Sequence, residues 1–520
     1  MIKYLFTLIL FFMNINTNEI SPTIAYYIAM PEPHTHYFEV KMEIKNWTQD
    51  SIDLKMPVWT PGSYLVREFA RKVEQEQAFN DKKEVLKYQK TNKNTWRIYN
   101  KGNNTITFSY RVYSFEHSVR TSFLDVDHAY INASSLFMFI DNKLHLPAQL
   151  HIEPFANWNN IATSLKPTSK KNKWTLHIPN YDIFVDSPIE IGTHKTIAFS
   201  AKGIPHYLAL YGEGNYDTDK MVQDITKIVE AATDVFGENP CEDYTIIQHN
   251  TSGARGGLEH LNSTSLMYPR WGFEPENKYI SWLGLMSHEY FHLWNVKRVR
   301  PKELGPFDYE NENYTTLLWV AEGVTSYYDD LLLRRADIIK TDTYLDIVAT
   351  NITNHENKPG KKVQCLAHAS HDAWIKYYRR DENSNNCCVS YYLKGGIVSN
   401  MLDLEIMQTT NAQKNLDDVM RYLYNEYYKK QERGFTEIEF KTACNTIAGK
   451  DLTDFFDQYI DGTTPIDYNT YFAYVGLKLS NKLASNQDLS LGIKANNSNG
   501  QLIVSYVKRD SPAYNDGINV

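Results

Sequence analysis

The stretch SWLGLMSHEYFHLWNVKRVRP at residues 281–301 places His288 and His292 four positions apart in a mostly apolar segment. The apolar neighbours predict that this HExxH motif lies in the middle of a helix, where residues four apart share one face. Two imidazoles on one face can hold a single Zn²⁺. Glu289 follows the first histidine and could act as the general base toward a water molecule. The stretch therefore predicts a metallohydrolase centre.

The alternative is a helix with two packed histidines and no metal. In a chain with 16 histidines and 62 acidic residues, an HExxH pattern arises by chance about 0.03 times, so the motif is informative without being decisive. Without a metal, Glu289 would be an unpaired carboxylate in an apolar helix, which costs several kcal/mol. The metal interpretation is therefore favoured.

A catalytic zinc needs a third protein ligand and an open position. Four downstream acids lie in a polar segment with Pro, Gly and Asn, where we expect them to be solvated: Glu303, Asp308, Glu310 and Glu312. Glu322 differs, because it lies in the apolar run LLWVAEGV at 317–324, which enters a helix. We therefore predict that His288, His292 and Glu322 bind one Zn²⁺ per chain.

The composition is typical of a folded multidomain protein. The 520 residues are 42% hydrophobic and 22% charged, which provides enough apolar mass for sizeable cores. The net charge of −8 argues against nucleic acid as a partner, because nucleic-acid binding needs a basic surface. The five cysteines are too few for a disulfide framework. We expect mostly buried or free thiols, with one distant disulfide as the minor alternative.

The first residues resemble an export signal. Lys3 precedes an apolar run at 4–13, which is too short to span a bilayer but suits a signal peptide over residues 1–18. The residues that follow lack the small side chains of a typical cleavage site, and a buried first strand is the alternative. We expect no transmembrane segment beyond the signal, and an exported protein that is periplasmic or secreted.

The rest of the chain divides by its periodicity. Short alternating runs predict a β-sandwich-like N-terminal domain over 22–200, with no catalytic motif of its own. Helix-spaced apolar residues dominate from 277 to about 460, so a unit over 205–465 carries the HExxH motif and has a helical C-terminal part. Strand-like runs return in a segment over 470–520. The predicted fold class is α+β and multidomain.

Several stretches, in this order, resemble the glycyl aminopeptidases, family sixty-one of the metallopeptidases, which belong to the gluzincins. The resemblance implies a β-rich N-terminal domain, a thermolysin-like, mostly helical zinc-peptidase domain and a PDZ domain. It extends from about residue 25 to the C-terminus. The matching stretches are MPEPHTHYF at 30–38, PVWTPGSY at 57–64, GGLEH at 256–260, HEYFHLWNVKRVRP at 288–301 and WVAEGVTSYY at 319–328.

The resemblance also implies roles for individual residues. In the family pattern, His288, His292 and Glu322 match the zinc ligands, and Glu289 matches the catalytic base. Tyr392 matches a tyrosine that helps to stabilise the tetrahedral oxyanion. The neighbouring residue Tyr391 is the rival candidate for that position.

The GGLE segment at 256–259 matches a substrate-binding strand in related aminopeptidases. There an edge strand pairs with the substrate backbone, and its glutamate binds the free α-amine. Gly256 and Gly257 would permit a close approach of the backbone, and Glu259 would select peptides with a free N-terminus. The alternative is a Gly-rich turn with a surface glutamate.

Two features depart from the pattern of related enzymes. An Asp that supports a zinc histidine in many thermolysin-like enzymes is replaced here by Ser326, which leaves Asp329 and Asp330 as candidates for that role. The spacing between His292 and Glu322 is also longer than in the commonest gluzincin aminopeptidases. A basic run after the HExxH motif complements the dipole at a helix end, with an anion site as the alternative: Lys297, Arg298, Arg300 and Lys302.

The C-terminal segment at 470–520 resembles part of a PDZ domain. Leu491-Gly492-Ile493 resembles the loop that captures a peptide carboxylate in such domains. The segment ends about where a PDZ domain would reach its middle, so we expect a truncated PDZ-like domain, with a disordered tail as the alternative.

The sequence as a whole predicts a zinc aminopeptidase that acts on peptides with a free N-terminus. The family resemblance implies a preference for small N-terminal residues, Gly and Ala. The sequence leaves two alternatives open. One is a zinc endopeptidase of the same fold, and the other is a non-catalytic peptide-binding protein that uses its PDZ-like end.

Overall fold

A computed structural model describes residues 21–482 and 490–520. The predicted signal peptide at 1–18 lies outside these described residues. The chain folds into a strand-rich N-terminal part, a central sheet with helices, a helical part and a C-terminal hairpin. This order confirms the predicted β-rich N-terminal and helical C-terminal parts of an α+β protein.

The N-terminal part consists of short strands in which apolar side chains alternate with polar ones, as in β2, where every second residue is buried. Its elements are β1 (Thr23–Ala29), β2 (Tyr37–Lys45), β3 (Ser51–Lys55), β4 (Val73–Phe79), β5 (Tyr88–Asn92), β6 (Thr95–Tyr99), β7 (Thr105–Tyr113), β8 (Phe123–Leu124), β9 (His128–Ile131), β10 (Phe139–Ile140), β11 (Ala148–Glu153), β12 (Asn160–Ala162), β13 (Lys166–Ser169), β14 (Asn172–Ile178), α1 (Tyr181–Val185) and β15 (Ile189–Gly192).

These strands form three sheets within the described residues. The largest has the order β13-β14-β11-β1-β2-β7-β4, and two four-stranded sheets have the orders β10-β3-β6-β5 and β12-β15-β9-β8. Their apolar faces enclose one hydrophobic core, which includes Trp96, Phe108 and Phe137. Strands β9 and β15 lie on the side that meets the central sheet.

The central part is a five-stranded sheet with the order β16-β17-β18-β20-β19. Strands β17, β18 and β20 run parallel, and β19 is an antiparallel edge strand. Because β16 already belongs to this sheet, the change between sheets falls at 192–195, a few residues before the predicted boundary. The elements are β16 (Lys195–Ala201), β17 (Ile204–Tyr211), α2 (Thr218–Phe236), β18 (Tyr244–Thr251), β19 (Gly256–Glu259) and β20 (Ser263–Pro269).

The helical part packs against this sheet around a second hydrophobic core. Its helices are α3 (Glu276–Phe291), α4 (Thr325–Arg335), α5 (Thr341–Glu356), α6 (Leu366–His371), α7 (Ser384–Cys387), α8 (Leu393–Thr409), α9 (Leu416–Leu423), α10 (Glu437–Ala448), α11 (Thr453–Tyr459) and α12 (Tyr468–Ala473). Two segments are π-helical, Trp319–Val324 and Tyr424–Lys430. In the described part of the chain, no helix has both the length and the hydropathy that a bilayer crossing requires.

The C-terminal segment is a hairpin of β21 (Ile493–Ser498) and β22 (Gln501–Val507), followed by the short helix α13 (Pro512–Asn515). Asn386 in α7 anchors it, because its side-chain amide donates to the carbonyl oxygen of Val507 at 2.8 Å and accepts from the backbone N–H of Arg509 at 2.9 Å. The PDZ-like identity of this segment stays a prediction. The five cysteines, all within the described ranges, are free thiols.

Candidate metal centre

Helix α3 ends earlier than the sequence predicts. Its last residue is Phe291, and His292 is its C-cap with helical backbone angles. The HExxH motif therefore occupies the last turn of the helix rather than its middle. The helix ends there because the chain turns so that the carbonyl oxygen of Asn295 accepts a hydrogen bond of 2.6 Å from Nδ1 of His292.

The structure brings the three predicted zinc ligands together. Oε2 of Glu322 lies 3.5 Å from Nε2 of His288 and 3.3 Å from Nε2 of His292. A tetrahedral zinc with ligands at about 2.0–2.1 Å requires ligand atoms about 3.3 Å apart. All three side chains are mostly buried, with exposed side-chain fractions of 11%, 1% and 2% for His288, His292 and Glu322. The donor set and its spacing therefore fit a single zinc ion.

Hydrogen bonds at the far nitrogens orient both imidazoles. Nδ1 of His288 donates to Oδ2 of Asp329 at 3.0 Å, and Nδ1 of His292 donates to the backbone of Asn295. Both Nε2 atoms are thereby left as acceptors that point toward Glu322, as metal-binding histidines require. Of the two candidates left open by the sequence, Asp329 and not Asp330 is the carboxylate that supports His288.

The π-helical segment Trp319–Val324 carries Glu322, and π-helical turns often mark functional sites. Asn295 holds this segment against the end of α3. Its side-chain amide donates to the carbonyl oxygens of Val320 at 2.9 Å and Ala321 at 3.2 Å. One residue therefore fixes both the last histidine of the motif and the backbone that presents the glutamate.

The charges within the centre are tightly coupled. Burial alone raises the pKa of Glu322, but the neighbouring imidazoles outweigh it and lower the pKa to about 2. Burial alone lowers the pKa of His288, but the neighbouring carboxylates of Asp329 and Glu322 outweigh it and raise the pKa. The centre therefore keeps Glu322 ionised, which is the form that binds a metal.

Glu289 lies beside the three ligands and faces the edge strand β19. Burial raises the pKa of its carboxyl group to about 7, and its Oε2 is buried without a hydrogen-bond partner. A Cβ atom placed on Gly257 would come within 2.1 Å of Oε1 of Glu289. The glycine therefore leaves the space that the glutamate occupies.

Glu259 is the last residue of β19 and also lies beside the centre. A carboxylate oxygen of Glu259, a carboxylate oxygen of Glu289 and a ring nitrogen of His292 lie within 4.8 Å of one another. The residue is buried, at 4% exposure, yet it lines the cleft. The GGLE segment is therefore an edge strand beside the centre, as the family resemblance implies, and not a surface turn.

Tyr392, at the start of α8, is the tyrosine that reaches the cleft. Its ring centroid lies 6.0 Å from that of His288, and its hydroxyl lies 3.4 Å from the hydroxyl of Tyr378. The rival Tyr391 is fully buried and its hydroxyl has no partner among the described residues. Of the two tyrosines, only Tyr392 lines the cleft.

The N-terminal part also contributes side chains to the centre, although its sequence shows no catalytic motif. The hydroxyl of Tyr64 donates to Oε1 of Glu322 at 3.4 Å. Gly62 has a φ of +80° and lies against Glu259, since a Cβ there would be 2.7 Å from the carboxylate. Arg120 lines the cleft beside Gly256. These contacts join residues more than 130 positions apart in the sequence, which local patterns cannot reveal.

The basic run after α3 has structural partners. Lys297 forms an ion pair of 2.7 Å with Asp186, and Arg298 donates to the carbonyl oxygens of Leu261 at 2.9 Å and Leu293 at 2.7 Å. These contacts favour charge pairing at the end of the helix over an anion site.

The centre lies at the bottom of a cleft of about 670 Å³ between the central sheet and the helical part. One wall is β19 with Glu259, and the opposite wall includes Tyr377, Tyr378 and Tyr392. The arrangement combines a metal site, a buried carboxylate, a free edge strand and a phenol. These are the groups that hydrolysis of a peptide bond needs.

A second cluster of possible metal ligands lies between the N-terminal and central sheets: His128, Glu190 and His249. The two oxygens of Glu190 separately accept hydrogen bonds from His128 at 2.8 Å and His249 at 2.9 Å. These distances are typical of hydrogen bonds and shorter than the ligand spacing around zinc. We therefore interpret this cluster as a hydrogen-bonded network that links the two sheets.

Comparison with known proteins places the chain in a family. A model of the M61 peptidase N-terminal domain matches residues 25–193, and a model of the M61 glycyl aminopeptidase matches residues 281–398. An aminopeptidase N family protein from Idiomarina loihiensis has a similar structure, with a TM-score of 0.89 and 32% sequence identity. The alignment covers 96% of this chain and 88% of that one.

More distant solved structures share the fold alone. An M1 zinc metallopeptidase from Deinococcus radiodurans aligns with a TM-score of 0.54 at 12% identity, over 86% of this chain and 94% of that chain. Aminopeptidase A from Legionella pneumophila, in complex with aspartic acid, aligns with a TM-score of 0.52 at 13% identity, over 84% of this chain and 49% of that chain. Among curated proteins no match is found. The chain is a peptidase, and it belongs to the M61 glycyl aminopeptidase family.

Proposed function

We propose that the chain is a zinc aminopeptidase that removes glycine or alanine from the N-terminus of peptides, with one zinc ion per chain. The observation that carries the proposal is the convergence of Glu322 with the two histidines at the spacing of a tetrahedral site, with Glu259 beside it at the end of an edge strand. Family membership and the M1-type fold support the same activity.

The roles of the residues follow from their positions. When bound by His288, His292 and Glu322, zinc would act as a Lewis acid toward the scissile carbonyl group and toward water. Glu289 takes a proton from the attacking water and passes it to the leaving amine, as a buried carboxylate with a raised pKa can do. The phenol of Tyr392 donates a hydrogen bond to the developing oxyanion.

Glu259 would distinguish an aminopeptidase from an endopeptidase. A carboxylate at the closed end of the strand attracts a free α-ammonium group, and a peptide without a free N-terminus would leave that carboxylate buried and unpaired. Substrate bound in this way has one residue before the scissile bond. The free edge of β19 can pair with the substrate backbone in the antiparallel direction.

Aromatic side chains near Glu259 and Glu322 support a preference for small first residues. The ring centroid of Tyr64 lies 5.7 Å from that of Trp374 and 6.2 Å from that of Tyr378. Tyr378 also lines the cleft. These packed rings leave little room for a large first side chain, because forcing extra volume into a well-packed cluster displaces its side chains and destabilises it.

The test compares alanyl-p-nitroanilide with its N-acetylated form in the zinc-loaded wild type and in Glu259→Gln. We expect the wild type to cleave only the free amine, and the variant to lose about 100-fold in kcat/KM while it keeps its zinc. The kcat/KM for glycyl and alanyl substrates should exceed that for leucyl and phenylalanyl substrates. Equal cleavage of the acetylated substrate by the wild type would instead support the endopeptidase alternative.

We also propose that the protein is exported to the periplasm or secreted, which rests on the signal-like residues 1–18 alone. N-terminal sequencing of protein recovered from cell fractions tests this. We expect a shortened N-terminus in the exported fraction, whereas full-length protein retained in the cytoplasm would contradict the proposal.

A further inference from the structure

Arg120 brings a guanidinium group from the N-terminal part to the beginning of β19. Its Nη1 lies 3.2 Å from the position that a Cβ on Gly256 would take. Its Nη2 donates a long hydrogen bond of 3.4 Å to the carbonyl oxygen of Gly257. Both Arg120 and Gly256 line the cleft. The guanidinium therefore lies at the end of β19 opposite to Glu259.

No carboxylate neutralises this guanidinium group within residues 21–482 and 490–520, since no Asp or Glu oxygen there comes within 4.0 Å of it. Its Nε is also buried without a hydrogen-bond partner. The Nε of the neighbouring Arg67 is likewise buried without a partner, but Nη1 of Arg67 has a carboxylate oxygen of Glu116 at 3.7 Å. An arginine has five N–H donors, and a single long hydrogen bond to Gly257 leaves most of them available to a ligand.

Arg255 adds a second positive charge at the same end of the cleft. It precedes Gly256 in the chain, is exposed, lines the cleft and donates to the backbone and the hydroxyl of Ser281 at 3.2 Å. The edge strand therefore has a carboxylate at one end and two guanidinium groups at the other. This polarity matches the two charged ends of a short peptide that runs antiparallel to β19.

The distance between the two ends of β19 sets the length of peptide whose charged ends can reach both. Gly256 and Glu259 are three residues apart, which corresponds to about 10 Å at a rise of about 3.4 Å per residue. An extended tripeptide spans about the same distance between its α-ammonium group and its α-carboxylate. A dipeptide is about 3 Å shorter, and a tetrapeptide would carry its carboxylate beyond the arginines.

We propose that Arg120, assisted by Arg255, forms a subsite for the α-carboxylate of a tripeptide whose α-ammonium group is bound by Glu259. This inference rests on the proposed aminopeptidase function and names its substrate class as tripeptides with a free carboxylate. A planar guanidinium binds a carboxylate through two parallel hydrogen bonds, which gives both affinity and orientation. The chain is thereby a tripeptide-selective aminopeptidase.

The kinetic test compares Ala-Ala-Ala with Ala-Ala-Ala-amide, which differ only in the C-terminal charge. We expect the wild type to prefer the acid by roughly 10- to 100-fold in kcat/KM, the range of one charge-assisted contact. Arg120→Gln should abolish most of this preference, and Arg120→Lys should keep part of it. Arg67→Gln is the matched control, because Arg67 has its own carboxylate partner, and it should keep the wild-type ratio of acid to amide.

Two kinetic results would overturn the proposal. One is a wild type that does not distinguish the acid from the amide. The other is an Arg120→Gln variant that loses activity on both equally, which would make Arg120 a purely structural link to β19. Ala-Ala-Glu-amide carries its carboxylate only on a side chain, and a rate equal to that of Ala-Ala-Ala would assign the subsite to acidic side chains instead of the C-terminus.

A binding measurement separates this proposal from the aminopeptidase function itself. Calorimetry on the zinc-loaded Glu289→Gln variant measures the affinity for Ala-Ala-Ala and for its amide without turnover. We expect the acid to bind more tightly and Arg120→Gln to remove the difference. A wild type that cleaves no peptide would refute the proposed function, yet this preference in binding could still be measured. Equal affinities of acid and amide would refute the subsite even in an active enzyme.

Discussion

Among single residues, Gly257 is the one whose missing side chain makes room for the proposed catalytic base, Glu289. The carboxylate of Glu289 occupies the space where any other residue at 257 would place its Cβ, at 2.1 Å from Oε1 and 2.3 Å from Cδ. The atoms that a Cβ at residue 257 would meet belong to the Glu289 side chain itself, so relieving the clash would displace the proposed base. The position of Glu289 therefore requires a glycine at residue 257.

We expect Gly257→Ala to lower kcat/KM by about 100-fold, because a displacement of about 1 Å of a catalytic group can cost that much. Steady-state hydrolysis of alanyl-p-nitroanilide measures this effect. The zinc content should stay at the wild-type level, because Gly257 does not contact the ligands. Gly253→Ala is the control, since a Cβ there meets open space. Equal activity of the two variants would show that the position of Glu289 is not critical.

At the scale of elements, the π-helical segment Trp319–Val324 and helix α8 cross at two glycines. A Cβ on Gly323 would lie 2.6 Å from the Cα of Gly395 and 2.7 Å from the carbonyl oxygen of Tyr391. These neighbours are backbone atoms that cannot rotate away. The close crossing sets the distance between Glu322 on one element and Tyr392 on the other.

Gly323→Ala should therefore destabilise the fold by about 1–3 kcal/mol, the usual cost of overpacking. Gly284→Ala is the control, and we expect it to change the free energy of unfolding in the opposite direction. Gly284 lies within α3, where the nearest atom to an added Cβ is 3.8 Å away, so alanine should stabilise the helix by about 0.5–1 kcal/mol. The urea concentration at half-unfolding measures both changes. A Gly323→Ala midpoint at or above the wild-type value would contradict the close crossing.

At the scale of the whole molecule, histidines join the N-terminal and central sheets. Glu190 on β15 accepts hydrogen bonds from His128 on β9 and His249 on β18. Burial alone raises the pKa of Glu190, but the two imidazoles outweigh it and lower the pKa. The ring of His117 lies 5.7 Å from that of His128 and 5.4 Å from that of His249. Burial and these two rings lower the pKa of His117 to about 3.

This network predicts a loss of stability in acid. An unfolded chain binds a proton at His117 below a pH of about 6.5, whereas the folded chain resists it down to a pH of about 3. The unfolded state then holds more protons, so acidification in that window favours unfolding by up to about 1.4 kcal/mol per pH unit for one histidine. Glu190 has a lowered pKa, so its stabilising ionised form is lost only at lower pH. Protonation of Glu190 there also favours unfolding.

Thermal unfolding of the wild type and of His117→Phe at pH 7 and pH 5 measures the effect. Phenylalanine keeps the stacking of residue 117 on Phe123, whose ring lies 4.5 Å away, and cannot bind a proton. We expect the Tm of the wild type to fall more between the two pH values than the Tm of the variant. Equal decreases in both proteins would show that His117 does not contribute.

The local patterns of the sequence predict part of the centre and miss the rest for a physical reason. The HExxH spacing predicts His288 and His292 as ligands, and the apolar setting of Glu322 predicts a third ligand, because a buried carboxylate needs a partner. The local patterns predict no role for Tyr64 or Arg120. They reach the cleft only because two sheets pack together, and no local spacing encodes that contact. The early end of α3 depends on a local hydrogen bond from His292 to the backbone of Asn295, which the spacing of the apolar residues does not reveal.

We expect His288, His292 and Glu322 to bind one zinc ion that the activity requires. The most direct measurement is the zinc content of the purified wild type and of Glu322→Ala after equal dialysis. We expect about one zinc per wild-type chain and a much lower content in the variant, because three protein ligands hold a catalytic zinc. Zinc retained equally in both proteins, or absent from a wild type that still cleaves alanyl-p-nitroanilide, would contradict the claim.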